Sequence, residues 1–195
     1  FAPAPRRLDT EQKSLLEYEA MALLAENGVD TPPYRFLAAG GDLRAASQDM
    51  GYPQVMKIVS PQILHKSDVG GVKLHLRDAE QAEAAYKQLE AIGQGRDFRG
   101  VVIYPQLEKG AELIVGFSRD PGFGPVVVCG MGGIYTEILK DISLRLAPVD
   151  EEEALAMLRE LKTWPLLAGA RGGQPLAIAE LARLIARFSQ LPLLY

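Results

Sequence analysis

The sequence has almost no cysteine and very little histidine. Cys129 is the single cysteine, and two histidines occur among the 195 residues. One cysteine excludes a disulfide within the chain, and these counts leave no Cys/His cluster with the spacing of metal ligands. A reducing, cytoplasmic environment is therefore expected.

The sequence also lacks a basic excess and a long apolar run. The formal net charge is −4 and the isoelectric point is near 5.3, so neither nucleic acid nor an anionic membrane is expected as a partner. No apolar stretch approaches the roughly 18 residues that a membrane helix needs. Residues 1–8 have the Pro/Ala/Arg composition of a linker, which suggests a piece of a larger polypeptide.

What remains is a composition typical of a folded domain, with 48% hydrophobic and 24% charged residues. Apolar spacing and capping residues predict helices over 9–27, the 40s up to Gly51, 78–92, 150–162 and 175–190. Runs rich in Val and Ile predict strands over 34–38, 54–60, 72–76, 101–107, 111–117 and 125–129. The stretch 134–146 fits a strand or a helix, and strand is the preferred interpretation. The closely spaced later strands leave no room for crossover helices, which favours an α+β or α/β fold without a strictly parallel sheet.

Lys57 interrupts the apolar strand Val55–Val59 and shares a face with both of these valines. A lysine on a strand often lies on a solvated face, which is the simpler interpretation. If its face is buried, however, the ammonium needs an anion. A phosphate is one such anion.

The loop after this strand carries His65, Lys66, Ser67 and the pair Gly70-Gly71. The glycines are at least a tight turn, and backbone N–H groups with nearby positive charge can also hold a phosphate. His65 is either an exposed loop residue or a nucleophile that accepts a phosphoryl group.

Three acids admit two interpretations each. Glu112 stands at the start of an apolar strand, either as a surface acid or as a partner for a ribose hydroxyl. Glu137 and Asp141 follow the glycine-rich stretch 130–133, where they either lie on the surface or line a cleft.

Taken together, these segments resemble the ATP-grasp (β) part of the nucleoside-diphosphate-forming acyl-CoA synthetases, the ADP-forming acetyl-CoA synthetase group related to succinyl-CoA synthetase β. The resemblance rests on LLEYEAMALLAENGVDTPPY (15–34), VMKIVSPQILHKSDVGGVKLHL (55–76), GAELIVGFSRDPGFGPVVVCGMGGIYTEILKDISLRLAPVD (110–150) and LLAGARGGQPL (166–176). It covers nearly the whole chain. It implies an ATP-grasp domain over 9–195, with a small lobe at about 30–95, a larger lobe containing the N-terminal helix and the remainder, and a nucleotide cleft between them.

The resemblance also implies roles for individual residues. Lys57 matches the strand lysine on the nucleotide phosphates, and His65 matches the family's second phosphohistidine. The segment that contacts adenine falls at Tyr104 to Leu107, with Tyr104 where Gln or Glu is expected, and Glu112 matches an acid near the ribose. Lys66, Ser67, Gly70 and Gly71 belong to the glycine-rich segment over the phosphates.

The family implies ATP or ADP as the nucleotide and Mg²⁺ as its metal. No metal ligand is expected within this chain, because the strands that hold Mg²⁺ in the family would lie beyond residue 195. The CoA-binding and ligase parts are expected as partners in the same enzyme. The implied reaction converts acyl-CoA, ADP and phosphate to acid, CoA and ATP through a phosphohistidine.

Two other functions fit the same sequence. Similar regions are fused to protein acetyltransferases as ligand-sensing regulatory domains without catalysis, and an interaction scaffold would not need metal strands. Retention of His65 and Lys57 favours the enzyme.

Overall fold

The computed structural model describes residues 14–108, 110–133, 140–170 and 175–195. These residues fall into two compact units. One contains 14–25 and Thr31–Glu108, and the other contains Glu26–Asp30 together with the described part of the chain from 110 onward.

The first unit is built on a four-stranded sheet in the order β1-β4-β2-β3, in which every neighbouring pair is antiparallel. Its strands are β1 (Arg35–Ala38), β2 (Gln54–Val59), β3 (Val72–Leu76) and β4 (Gly100–Pro105). The alternation of side chains along β2 sends Met56 and Ile58 to one face and Val55, Lys57 and Val59 to the other. Both faces are covered, which explains why β2 and β4 are almost entirely buried.

Three helices cover this sheet: α1 (Glu17–Glu26), α2 (Leu43–Met50) and α3 (Ala79–Gly93). The carboxylates of Asp42 and Asp78 accept from the backbone N–H groups of Ala45 and Gln81, so they cap α2 and α3. Helices α2 and α3 share a core with Met56 and Ile58. Helix α1 packs on the opposite face, where Leu16 and Met21 join a second core.

The second unit contains the antiparallel sheet β5-β6-β7, formed by Leu113–Asp120, Gly124–Met131 and Ile142–Leu146. Within 140–170 and 175–195, four helices follow: α4 (Glu151–Glu160), α5 (Trp164–Leu167), α6 (Ile178–Phe188) and α7 (Leu191–Leu194). Val127 and Cys129 of β6 are fully buried against α4 and α6. Burial raises the pKa of the Cys129 thiol to about 11, so this cysteine is a core residue.

The structure confirms an α+β fold class and adds detail to the predicted elements. Helix α1 begins at Glu17. Of the predicted helix, 14–16 precede this start and are not helical, and 9–13 lie outside the described residues. The first residue of α1, Glu17, contacts β2 and β4. Of the stretch 134–146, the part 142–146 is a strand and 134–139 lies outside the described residues. The one-turn helices α5 and α7 are additional, and both have proline in the first turn.

Among the residues that the structure describes, none of the helices has the length and apolar character required to cross a membrane.

Gly100 sits where β4 meets the end of β1, and its backbone requires glycine. Its φ is +136°, and an added Cβ would lie 2.0 Å from the carbonyl oxygen of Leu37 and 2.9 Å from the Cα of Ala38. Backbone strain and overpacking each cost about 1–3 kcal/mol. Gly100→Ala is therefore expected to lower the free energy of unfolding by at least about 2 kcal/mol in urea titrations. The control is Gly110→Ala, whose added Cβ meets nothing within 4 Å; equal stability of the two variants would contradict the assignment.

Candidate functional site

The central feature of the first unit is a carboxylate held between two lysines. Glu17 Oε1 lies 2.8 Å from Lys57 Nζ, and Glu17 Oε2 lies 2.6 Å from Lys66 Nζ. The side chains of Glu17, Lys57 and Lys66 are 21%, 34% and 22% exposed, respectively. The cluster is thus partly withdrawn from water but still reachable from it.

Tyr104 completes this cluster from the neighbouring strand. Its hydroxyl lies 2.5 Å from Glu17 Oε1 and 3.1 Å from the sulfur of Met21. Lys57 Nζ also lies 4.8 Å from the centre of the Tyr104 ring, a cation–π distance. Burial, together with the neighbouring Glu17 carboxylate, raises the pKa of the Tyr104 hydroxyl far above its ordinary value, so it stays a donor.

The electrostatics of Glu17 follow from these contacts. Burial alone would raise the pKa of its carboxyl, but hydrogen bonds from Lys57, Lys66 and Tyr104 outweigh that effect and lower the pKa to about 2. Glu17 is therefore ionised at any physiological pH.

The sequence placed Lys57 beside apolar residues, and the structure shows the same arrangement. Lys57 lies on the face of β2 that carries Val55 and Val59, against the core that contains α1. The required anion is present within the protein itself, as Glu17. Sequence reasoning missed Glu17, although one signal was available: Glu17 and the buried Met21 are four residues apart, and so share a face of α1.

The predicted loop over the phosphates is a compact turn at the end of β2. Gly71 N–H donates to the carbonyl oxygen of Lys66 at 2.7 Å, and Gly70 N–H donates to the carbonyl oxygen of Ser67 at 3.1 Å. Gly70 has φ +70°, and a Cβ on Gly71 would approach Ile58 Cγ2 to 2.6 Å. Both glycines are therefore required by the turn itself, whatever the loop binds.

His65 is exposed on this loop, next to Lys66. It borders a depression of about 350 Å³ that is also lined by Asp68, Val69 and Arg96. A second, smaller cavity of about 190 Å³ lies beside Glu17, Lys66 and Ser60. Unlike His65, His75 is exposed on a strand, β3. It lies where the register between β2 and β3 is irregular, and its φ is +57°.

Leu107 and Glu112 are the remaining predicted residues. Leu107 follows β4 and is 63% exposed. Glu112 belongs to the second unit, where its carbonyl oxygen accepts from Gly132 N–H at 2.6 Å. It lines a cavity of about 520 Å³ with Gly132, Gly133 and Leu166.

Asp141 has a structural role. Its carboxylate accepts hydrogen bonds from Lys162 N–H, Thr163 N–H and the Thr163 hydroxyl, at 2.8, 2.8 and 2.5 Å. Burial opposes ionisation, but these donors hold the pKa of Asp141 below its ordinary value. Asp141 is therefore not a cleft acid, because its carboxylate holds the chain between α4 and α5. The other acid, Glu137, lies outside the described residues.

No group of three or more His, Cys, Asp or Glu side chains that could hold a metal ion occurs among the described residues.

Comparison with known proteins supports the family that the sequence resembles. Residues 6–193 match the model of the ATP-grasp domain. The chain is 45% identical over 187 residues to the acetate–CoA ligase (ADP-forming) I subunit beta of Pyrococcus furiosus, covering 94% of this chain and 81% of that one. It is 41% identical to the 4-hydroxybutyrate–CoA ligase (ADP-forming) of Nitrosopumilus maritimus, covering 93% of this chain but 26% of that longer protein.

Solved structures of an acetyl-coenzyme A synthetase share the fold of this chain. Acetyl-coenzyme A synthetase 1 of Candidatus Korarchaeum cryptofilum, in complex with coenzyme A and Ca-AMPCP, superposes with a TM-score of 0.86 at 36% identity, over 91% of this chain and 79% of that one. Another structure of that enzyme contains coenzyme A and Mg-AMPPCP, with its phosphohistidine segment pointing towards the nucleotide-binding site (TM-score 0.78, 38% identity, 92% and 78% coverage).

The ion pairs of Glu17 predict a pH dependence of stability. The folded-state pKa of about 2 lies below the ordinary value of 4.5, so the stabilisation is complete above about pH 4.5 and is lost as the pH falls towards 2. Its size is up to about 3 kcal/mol. In urea titrations between pH 6 and pH 2, the wild type should therefore lose more free energy of unfolding than Glu17→Gln.

The matched control is Glu26→Gln, which removes an exposed carboxylate from the other end of α1. Its pH profile should follow that of the wild type. Parallel profiles for all three proteins would show that the two lysines do not stabilise ionised Glu17.

Proposed function

Since this chain belongs to the ATP-grasp domain family, we propose that it is the nucleotide-binding part of an ADP-forming acyl-CoA synthetase. The reaction converts acyl-CoA, ADP and phosphate to acid, CoA and ATP, with a phosphohistidine as carrier. The observation that carries the proposal is the convergence of Lys57 and Lys66 on one anion, next to a loop that exposes His65.

Lys57 and Lys66 are the proposed phosphate ligands. They come from different segments, a buried central strand and the following loop, yet their ammonium groups lie within hydrogen-bond distance of one carboxylate. A phosphate carries the same kind of anionic oxygen, and charge-assisted hydrogen bonds from two lysines would hold it firmly. Ser67, Gly70 and Gly71 would supply the hydroxyl and the backbone of the turn over the phosphates.

His65 is the proposed phosphoryl carrier. In the direction of ATP use, an imidazole nitrogen attacks the γ-phosphorus, the bond from that phosphorus to the β,γ-bridging oxygen breaks, and ADP leaves. The imidazole proton passes to solvent. His65 is exposed on the loop between β2 and the turn at Gly70 and Gly71. This exposure suits a residue that must also deliver the phosphoryl group to another domain.

The segment from Tyr104 to Leu107 is the proposed contact for the base, and Glu112 is the proposed contact for the ribose. The Tyr104 hydroxyl already donates to Glu17, so this residue would face the base through its backbone, whereas Leu107 offers an exposed side chain. Glu112 would accept a hydrogen bond from a ribose hydroxyl.

The nucleotide is proposed to act as its Mg²⁺ complex, in keeping with the Mg-AMPPCP in the Korarchaeum enzyme. In the proposed enzyme, the protein ligands of that ion come from the strands that hold Mg²⁺ in the family. The proposed partners are the CoA-binding and ligase parts of the same enzyme, and the Pyrococcus furiosus relative is named as a beta subunit.

The first test uses ATP labelled at the γ-phosphate and the full-length protein with its CoA-binding part. Label should appear on His65 as an acid-labile, base-stable phosphohistidine, and it should be lost in His65→Asn. The matched control is His75→Asn, because His75 is the other of the two histidines; that variant should keep the label.

ATP binding without any label in the wild type would contradict the enzymatic function and favour a regulatory domain that senses the nucleotide. Label that persists in His65→Asn would contradict the assignment of the carrier.

The second test addresses the phosphate ligands by calorimetry with ATP. Lys57→Met should weaken binding at least about tenfold, because a hydrogen bond to a charged group contributes about 1.5–3 kcal/mol. The control is Lys87→Met, which removes an exposed lysine from α3 and should leave the affinity unchanged. Equal affinities for both variants would contradict the role of Lys57.

A further inference from the structure

Glu17 connects three separate parts of the first unit. Lys57 is on β2, Lys66 is on the loop that carries His65, and Tyr104 is on β4, and each donates to this one carboxylate. The contacts are short, at 2.8, 2.6 and 2.5 Å, respectively. Neither the family comparison nor the local sequence pattern assigns a role to this residue.

The carboxylate itself is held in a fixed position. It is on the first residue of α1, where a negative charge is favoured by the helix dipole. Tyr104, which is 7% exposed, contacts both Glu17 and Met21 and so holds this turn of α1 against the sheet. A side chain anchored by a buried tyrosine on one side is well suited to hold the two lysines on the other.

The lysines keep donor capacity for a further anion. An ammonium has three N–H groups, and the contact with Glu17 uses one on each lysine. Two positive charges and one negative charge also leave the cluster with a net charge of +1. An added phosphate can therefore bind both lysines while Glu17 remains in place.

The contact with Lys66 extends to the loop. The carbonyl oxygen of Lys66 accepts from Gly71 N–H at 2.7 Å, and Gly71 packs so closely on Ile58 that it has no room for a Cβ. Fixing Lys66 at both its side chain and its backbone fixes the base of the turn next to His65.

From this arrangement we infer that Glu17 is a positioning residue for nucleotide phosphates: it holds Lys57 and Lys66 so that both face one phosphate, and it fixes the loop that presents His65. The inference rests on the proposed function. It makes Glu17 a stationary support rather than a competitor that the phosphate must displace.

The test is a double-mutant cycle of Glu17→Gln and Lys66→Met, measured as ATP affinity by calorimetry and as the single-turnover rate of His65 labelling at saturating ATP in the full-length protein. A glutamine oxygen can accept from one ammonium, but its amide nitrogen cannot accept from the other. Glu17→Gln should therefore weaken ATP binding at least about tenfold, the scale of one charge-assisted hydrogen bond. It should also slow labelling at saturating ATP, because the loop is released.

The cycle separates positioning from a general loss of structure. In the Lys66→Met background, the effect of Glu17→Gln on affinity should be clearly smaller, since residues that act through one another are not additive. Additive effects would overturn the inference, because they would mean that Glu17 does not act through Lys66. The control Glu26→Gln should bind and label as the wild type does.

Two other outcomes have distinct meanings. A wild type that binds ATP, together with a Glu17→Gln variant that binds it equally or more tightly, would overturn the inference alone, and tighter binding would identify Glu17 as a competitor. A wild type that does not bind ATP would overturn the proposed function and the inference together.

Discussion

The structure of the first unit depends on a carboxylate that is partly removed from water between two ammonium groups. Removing ions from water costs several kcal/mol each, and the attraction between them compensates only when the geometry is good and the remaining oxygens are bonded. Glu17 meets that condition, because Lys57 and Lys66 use separate oxygens and Tyr104 adds a neutral donor. The lowered pKa of Glu17, about 2, expresses how strongly its ionised form is preferred.

The sheet and its helices place this cluster at one location. Because β2 is a central strand with both faces covered, alternation sends Lys57 to the α1 side while its neighbours Met56 and Ile58 join the core under α2 and α3. In the turn that follows β2, Gly71 packs closely against Ile58. This contact places Lys66 on the α1 side of the sheet, where Lys57 also lies. The two lysines meet because Lys57 faces α1 from β2 and the tight turn places Lys66 beside the same carboxylate.

Much of the fold could be predicted from the sequence, since periodicity and capping are local signals. The bounds of α3 and β3 follow from the Asp78 cap and the Val/Leu alternation, and the antiparallel meander follows from short connections. The family was likewise predicted, because its motifs extend over nearly the whole chain. Asp141 could not be assigned correctly, since its partners Lys162 and Thr163 lie about 20 residues further along the chain. Glu17 was missed for the same reason: the pattern around Lys57 indicates that an anion is needed, but not that it comes from 40 residues earlier.

The central claim is that Lys57 and Lys66 bind nucleotide phosphates while Glu17 keeps them in place. The most direct measurement is a crystal structure of the protein with a non-hydrolysable ATP analogue and Mg²⁺. The account predicts phosphate oxygens within hydrogen-bond distance of both lysine Nζ atoms, with Glu17 still bonded to them. An analogue bound away from the lysines would contradict the claim, and so would phosphates that occupy the position of Glu17 after its side chain has turned away.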